Sequence, residues 1–248
     1  FIKNVLKNHK ITYYCYRIEF QARGMPHAHG VFWLPSEEIK DYMKTVVVEK
    51  KKKNNNIEDP DQEEEVIEEE TEEVFDNKKV PELIDKWISC STSTGDEQLD
   101  QVVKEVNAHN HTKSCKKYGT DCRFNFPRLP SNETLIAELL PEDMPEEEKE
   151  KELSFSNNIL DKVKKYLIDL KEEDENISLE DMLAKLDINP DDYKKALKVS
   201  ERGEIVILKR TVQDRNVNNY NPCFIKAMYS NMDIQFVSDI HAVVTYVT

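Results

Sequence analysis

Between Glu58 and Asp76 the chain carries twelve acidic residues and no basic one. Four consecutive lysines, Lys50 to Lys53, and three asparagines stand just before it. Such a stretch buries too little apolar surface to offset the entropy of ordering it. Whatever folds must therefore fold on either side of it. The expectation is that residues 50–79 are a disordered acidic insert, with an exposed acidic helix as the rival. A second acidic run, Glu142 to Glu152, holds seven acids and two bases. The net charge is -14, yet without these two runs the rest of the chain sums to +3. Residues 1–56 carry +6 and residues 101–128 carry +4. An acidic total therefore does not exclude a polyanionic partner, because charge blocks matter more than totals.

The length, 248 residues, fits one or two domains. Five glycines and ten prolines argue against collagen, low complexity and Gly-rich linkers. No apolar run reaches the roughly 18 residues of a membrane span. The chain opens on Phe1 without a signal-peptide pattern, which suggests an excised part of a longer protein. Five cysteines, an odd number, read as a reduced intracellular chain whose thiols can bind metal. No G-x-x-x-x-G-K-[ST] pattern is present, so this segment holds no phosphate loop.

Residues 11–21 alternate as a strand does, with Tyr14, Tyr16, Ile18 and Phe20 on one face and Arg17, Glu19 and Gln21 on the other. A turn around Gly24 leads to a return strand over residues 27–34. Ser36 is placed to cap a following helix. His27 and His29, two apart on the return strand, point to one face. A hairpin closed near Gly24 brings Glu19 or Gln21 alongside them. Two imidazoles plus a carboxylate or amide, with positions left open, suit a divalent cation such as Mn, Mg or Zn. The bland alternative is a pair of surface histidines on an edge strand.

Residues 80–107 resume structure, with Leu83, Ile84, Trp87 and Ile88 at helical spacing. Residues 109–131 are loop-like and rich in Cys and His. Tetrahedral zinc needs four N or S donors; Cys90, His111, Cys115 and Cys122 can supply them, with His109 as a substitute. The competing reading is a basic loop with reduced cysteines. Lys113, Lys116, Lys117, Arg123 and Arg128 interleave here with Tyr118, Phe124 and Phe126. Cations that track phosphates and rings that stack bases are what single-strand binding requires; the alternative is that Phe124 and Phe126 are core. Residues 150–200 read as helical, with Ser178 and Asn189-Pro190 as helix starts. Residues 204–208 read as a strand. Cys15 and Cys223 read as structural, and Arg210 as a weak phosphate contact.

The segment Glu19-Phe20-Gln21-Ala22-Arg23-Gly24-Met25-Pro26-His27-Ala28-His29 resembles, nearly letter for letter, the N-terminal Rep domain of Helitron transposases, which are HUH endonucleases. Three later segments, in order, look like further signatures of that family. They are His111-Thr112-Lys113-Ser114-Cys115 with Cys122-Arg123-Phe124-Asn125-Phe126-Pro127, then Asn218-Asn219-Tyr220-Asn221-Pro222, then Asn231-Met232-Asp233-Ile234-Gln235. The resemblance implies an α+β fold: a ferredoxin-like antiparallel sheet of the HUH endonuclease type, with the histidines on a central strand. It implies cleavage of single-stranded DNA by a tyrosine, leaving a 5′-phosphotyrosine, in rolling-circle transposition. His27 and His29 would bind Mn or Mg, with Glu19 the third ligand and Gln21 its rival. In Ala242-Val243-Val244-Thr245-Tyr246-Val247-Thr248, Tyr246 falls on the first of two nucleophilic tyrosines. The second would come four residues later, past Thr248. Arg23, Lys113, Lys116, Lys117, Arg123 and Phe124 are the DNA contacts expected, a helicase domain downstream the expected neighbour, and the nucleus the expected setting.

The expected organisation is a metal-binding hairpin over residues 1–49, the acidic insert over 50–79 and a Cys/His-rich basic element over 80–135. A helical insertion over 136–202 follows. Residues 203–248 close the nuclease sheet and open the tyrosine helix. Two rivals stand beside this reading: a non-catalytic single-stranded DNA-binding module, and a metal-dependent nuclease that uses water.

Overall fold

A computed structural model describes residues 6–7, 10–11, 13–20, 26–54, 64–112, 115–116, 122–171, 176–201 and 203–237. The expectations placed on Gln21, Arg23, Lys113, Lys117, Tyr118 and Tyr246 lie outside these residues.

The alternating aromatic and polar stretch forms β1 (Tyr13–Phe20), paired antiparallel with β2 (Pro26–Trp33). Tyr13 stands opposite Trp33 and Phe20 opposite Pro26. The face expected to be apolar is in large part uncovered, with Phe20 73% exposed. At its far end Phe32 meets Phe224 edge to face, with ring centroids 5.3 Å apart. A short helix, α1 (Ser36–Ile39), follows Pro35, and Glu37 and Glu38 fill its first turn. Ser36 is its first residue rather than its cap, and no side chain caps it.

The expected insert is where sequence and structure part. The described part of residues 50–79 contains no acidic helix. Strand β3 (Met43–Asn54) pairs antiparallel with β4 (Glu64–Phe75) over twelve positions, and a turn at residues 77–79 leads into the next helix. The register sets the lysine run along the acidic run. Lys50 stands opposite Glu68 and Lys53 opposite Glu65, with Lys51 and Lys52 opposite Ile67 and Val66 and Glu49 opposite Glu69. Taken one block at a time, each run is a solvated stretch of one sign.

The base of this hairpin is held by packing. Helix α2 (Val80–Trp87) buries Val80, Leu83 and Ile84. Val80 and Ile84 join Ile88, Cys90 and Leu208 in a core cluster, with Tyr42, Phe75 and Phe236 packed against it. Asp96 starts α3 (Glu97–Val102) by accepting the Leu99 N–H at 3.0 Å. The helix widens into a π-turn over Val103–Asn107. Leu99, Val102 and Val103 pack on Val217, Tyr220 and Ile225, the last in α7 (Pro222–Met228).

The helical block forms as its spacing requires. It comprises α4 (Glu146–Asp169), α5 (Leu179–Lys185) and α6 (Pro190–Leu197). Ser178 caps α5 by accepting from Asp181 N–H, and Asn189 caps α6 by accepting from Asp191 N–H. The second acidic run opens α4: Glu146, Glu147 and Glu148 fill its first turn, where the helix dipole favours anions. Val163, Leu167, Met182, Leu183, Tyr193 and Leu197 make the core of this block. A small sheet closes it, with β5 (Leu135–Leu139) in the middle, parallel to β6 (Val199–Ser200) and antiparallel to β7 (Ile205–Ile207).

The architecture is mixed α+β, with three small sheets and helices among the described residues. The histidine strand β2 has β1 as its partner there. No described helix is long and apolar enough to cross a membrane.

Candidate metal centres

On the hairpin, antiparallel pairing sets opposite residues on one face. Glu19 stands opposite His27, and Arg17 opposite His29. Glu19 Oε1 lies 3.0 Å from His29 Nε2, and Glu19 Oε2 accepts from Arg17 Nη2 at 3.3 Å. The bond from His29, then that from Arg17, holds the Glu19 carboxyl below its ordinary range, so it is an anion at neutral pH. His29 is half-buried and His27 exposed. Two nitrogens and a carboxylate oxygen on one face fit the donor set of a divalent cation. Among the described residues, the group whose ligating atoms are gathered closely enough to hold an ion is the second centre and not this trio.

The second centre is already gathered. The ligating atoms of His109, His111, Cys115 and Cys122 all lie within 4.8 Å of one another, and this group could hold a metal ion. Cys122 Sγ is 3.3 Å from His109 Nε2, and Cys115 Sγ is 3.6 Å from His111 Nδ1. A tetrahedral ion with metal–sulfur bonds of about 2.3 Å and metal–nitrogen bonds of about 2.0 Å sets such atoms roughly 3.6 Å apart. Burial, then the neighbouring His111 and Arg128 charges, lowers the His109 pKa; burial, then Lys116, lowers that of His111. Both shifts favour neutral imidazole, the form that binds metal. Thr112 N–H donates to Cys115 Sγ at 3.2 Å.

The local fold brings these four together. The His109 N–H bonds to Asn216 O and the Arg128 N–H to Arg215 O, so both ends of the loop are tied to the turn at Gln213–Asn216. Between them the Arg123 N–H bonds to Cys115 O.

Cys90 is corrected. It is not a member of the cluster: it is 1% exposed, packs with Val80 and Ile84, and its thiol donates to Lys209 O at 3.2 Å. Burial pushes that thiol up to about 11, the opposite of a thiolate ligand. His109 takes the fourth place. Sequence spacing favoured a third sulfur, whereas the structure sets the His109 and His111 rings edge to face, with centroids 4.9 Å apart.

Other expectations divide. Arg210 is no phosphate contact: it is 6% exposed, and its guanidinium donates to Asp214 O, Val217 O and Asn219 Oδ1. Cys15 and Cys223 are exposed rather than structural. Phe126 is buried while Phe124 is 45% exposed, and Arg123 and Lys116 are exposed. The two asparagine-rich segments form a backbone knot that sequence reading left without a role. Asn107 Nδ2 bonds to Asn218 O and Asn107 Oδ1 accepts from Met232 N–H; Asn221 caps α7 and bonds to Trp87 O. The sign that could have found this role is Asn221 followed by Pro222, a helix-start pair.

No family model matches the chain, and no curated protein or solved structure matches it.

Proposed function

We propose that this chain is the endonuclease segment of a Helitron-like rolling-circle initiator, binding single-stranded DNA and nicking it with metal assistance. The observation that carries the reading is the face shared by Glu19, His27 and His29, with Glu19 at 3.0 Å from His29. Glu19 supplies the charged oxygen, and the two imidazoles supply nitrogens. These residues would hold a Mn or Mg ion, which when bound would supply Lewis-acid polarisation of a phosphate. Tyr246 is the nucleophile, a phenol whose ordinary pKa near 10 makes it weak without such help. The ferredoxin-like sheet implied by the resemblance requires a further strand beside β1 or β2. In this reading the Cys/His centre holds a structural zinc, a helicase domain is the neighbour, and the setting is nuclear.

A second reading has its own support. The Cys/His centre stands among Lys116, Arg123, Phe124 and Arg128, which suits a single-strand DNA-binding module that does not cut. The experiment that separates the readings is incubation with Mn and end-labelled single-stranded DNA. Cleavage with a protein–DNA adduct mapping to Tyr246 supports the nicking enzyme. Cleavage without an adduct supports a water-using nuclease, and binding without cleavage supports the module.

A further inference from the structure

We infer that Phe124, covered by Arg123 and held beside the Cys/His centre, is a stacking shelf for one unpaired base of single-stranded DNA. The inference rests on the single-strand DNA reading above and assigns the place where a base sits.

In an extended Phe124-Asn125-Phe126 both rings would project to the same side. Here the backbone at Asn125 adopts φ 61°, the left-handed region that asparagine tolerates. The turn is fixed twice. The Asn125 N–H bonds to Cys122 O at 2.8 Å, and the Asn125 side-chain oxygen accepts from Lys164 of α4. Its result is a division of labour between the rings. Phe126 is 3% exposed and lies flat against His109. Phe124 is 45% exposed. The Arg123 guanidinium carbon stands 4.5 Å from the Phe124 centroid, and His109 meets the same ring edge to face at 5.6 Å.

A lone exposed phenylalanine needs no explanation. This one is different because its turn is pinned, a guanidinium is stacked on it, and its surroundings are cationic. Residues 101–128 sum to +4 in a chain of net charge -14. A ring with a flat cation beside it offers an unpaired base a π face and its phosphate a charge. Duplex DNA, whose bases are already stacked, offers no free face to this shelf. Phe155 on α4 is a built-in comparison. It is also exposed and has Lys195 at 5.5 Å, but it stands beside Glu147, Glu150 and Lys151, in the run Glu142–Glu152 whose seven acids outweigh two bases and repel a polyanion.

The test is fluorescence anisotropy with a short labelled single strand of mixed sequence, without added Mn or Mg so that cutting does not intervene. Phe124→Ala should weaken binding by about tenfold or more, the usual effect of removing a stacking ring. Phe155→Ala should bind as the unsubstituted protein does. Phe124→Trp should keep the affinity, and the emission of the added indole should be quenched by the strand. Equal binding by Phe124→Ala, or indole emission in Phe124→Trp that DNA does not change, overturns the shelf. If the unsubstituted protein binds and cuts DNA while Phe124→Ala binds equally well, the shelf alone is wrong. If the unsubstituted protein binds no single strand, the shelf and the DNA reading fall together.

Discussion

His109 lies flat against Phe126, with ring centroids 4.5 Å apart and planes 11° from parallel. The stack anchors one member of the Cys/His centre to a side chain that is itself buried, so His109 is oriented before any metal arrives. Cys90, the alternative fourth ligand, is committed elsewhere by its bond to Lys209 O. Purified protein should therefore carry one zinc per chain. His109→Ala should lose zinc by more than the roughly 10–100-fold that outer-shell changes cost, whereas Cys90→Ala should retain it. Elemental analysis of the two variants decides between the ligand sets.

Thiol chemistry gives an independent check. Cys15 and Cys223 are exposed and should react with an alkylating reagent near neutral pH. Cys90 should stay silent in the folded protein, because it is buried and its thiol is pushed up to about 11. Cys122 should be protected by metal and become reactive when a chelator is added. Mass mapping of the labelled peptides reads all of these at once.

The helical block should respond as a packed core. Leu167, 2% exposed, should cost about 2–5 kcal/mol when changed to alanine. Tyr193 donates its hydroxyl to Pro130 O at 2.7 Å in a buried setting. Tyr193→Phe leaves that carbonyl unpaired and should cost about 1–3 kcal/mol. Denaturant unfolding monitored by circular dichroism measures both.

The β3–β4 hairpin is testable through its register. Changing Lys50 and Lys53 to glutamate sets like charges opposite Glu68 and Glu65. The loss should be about 0.2–1 kcal/mol for each attractive pair, with repulsion of similar size added. Amide exchange should then quicken along β3 and β4 while α4 stays protected. Equal exchange in both proteins would show that charge pairing does not hold this ladder.

Much of the fold was legible because it depends on local chemistry. The period-two pattern of Tyr14, Tyr16, Ile18 and Phe20 marked β1, and the helical spacing of Val163 and Leu167 marked α4. Ser178 and Asn189 capped the helices that their positions suggested. The shared face of Glu19, His27 and His29 was legible for the same reason, since strand parity fixes it. What sequence could not show was pairing at a distance. The lysine and glutamate runs read together as one disordered insert, because nothing local says that Lys50 faces Glu68. Cys90 was taken for a ligand because spacing does not reveal burial. Phe124 and Phe126 were undivided because the left-handed turn at Asn125 has no periodic signature. Arg210 read as a surface cation for want of its carbonyl partners, which come from residues 214–219.

The most direct test of the proposed function is cleavage of end-labelled single-stranded DNA in the presence of Mn, compared between the protein and its His27→Ala/His29→Ala variant on a denaturing gel. The two histidines lie on a half-exposed hairpin face outside the three buried core clusters, so the variant should fold normally. The account predicts a shortened strand and a protein-linked fragment with the protein, and neither with the variant. Undiminished cleavage by the double variant, or no cleavage by the unsubstituted protein, would contradict it.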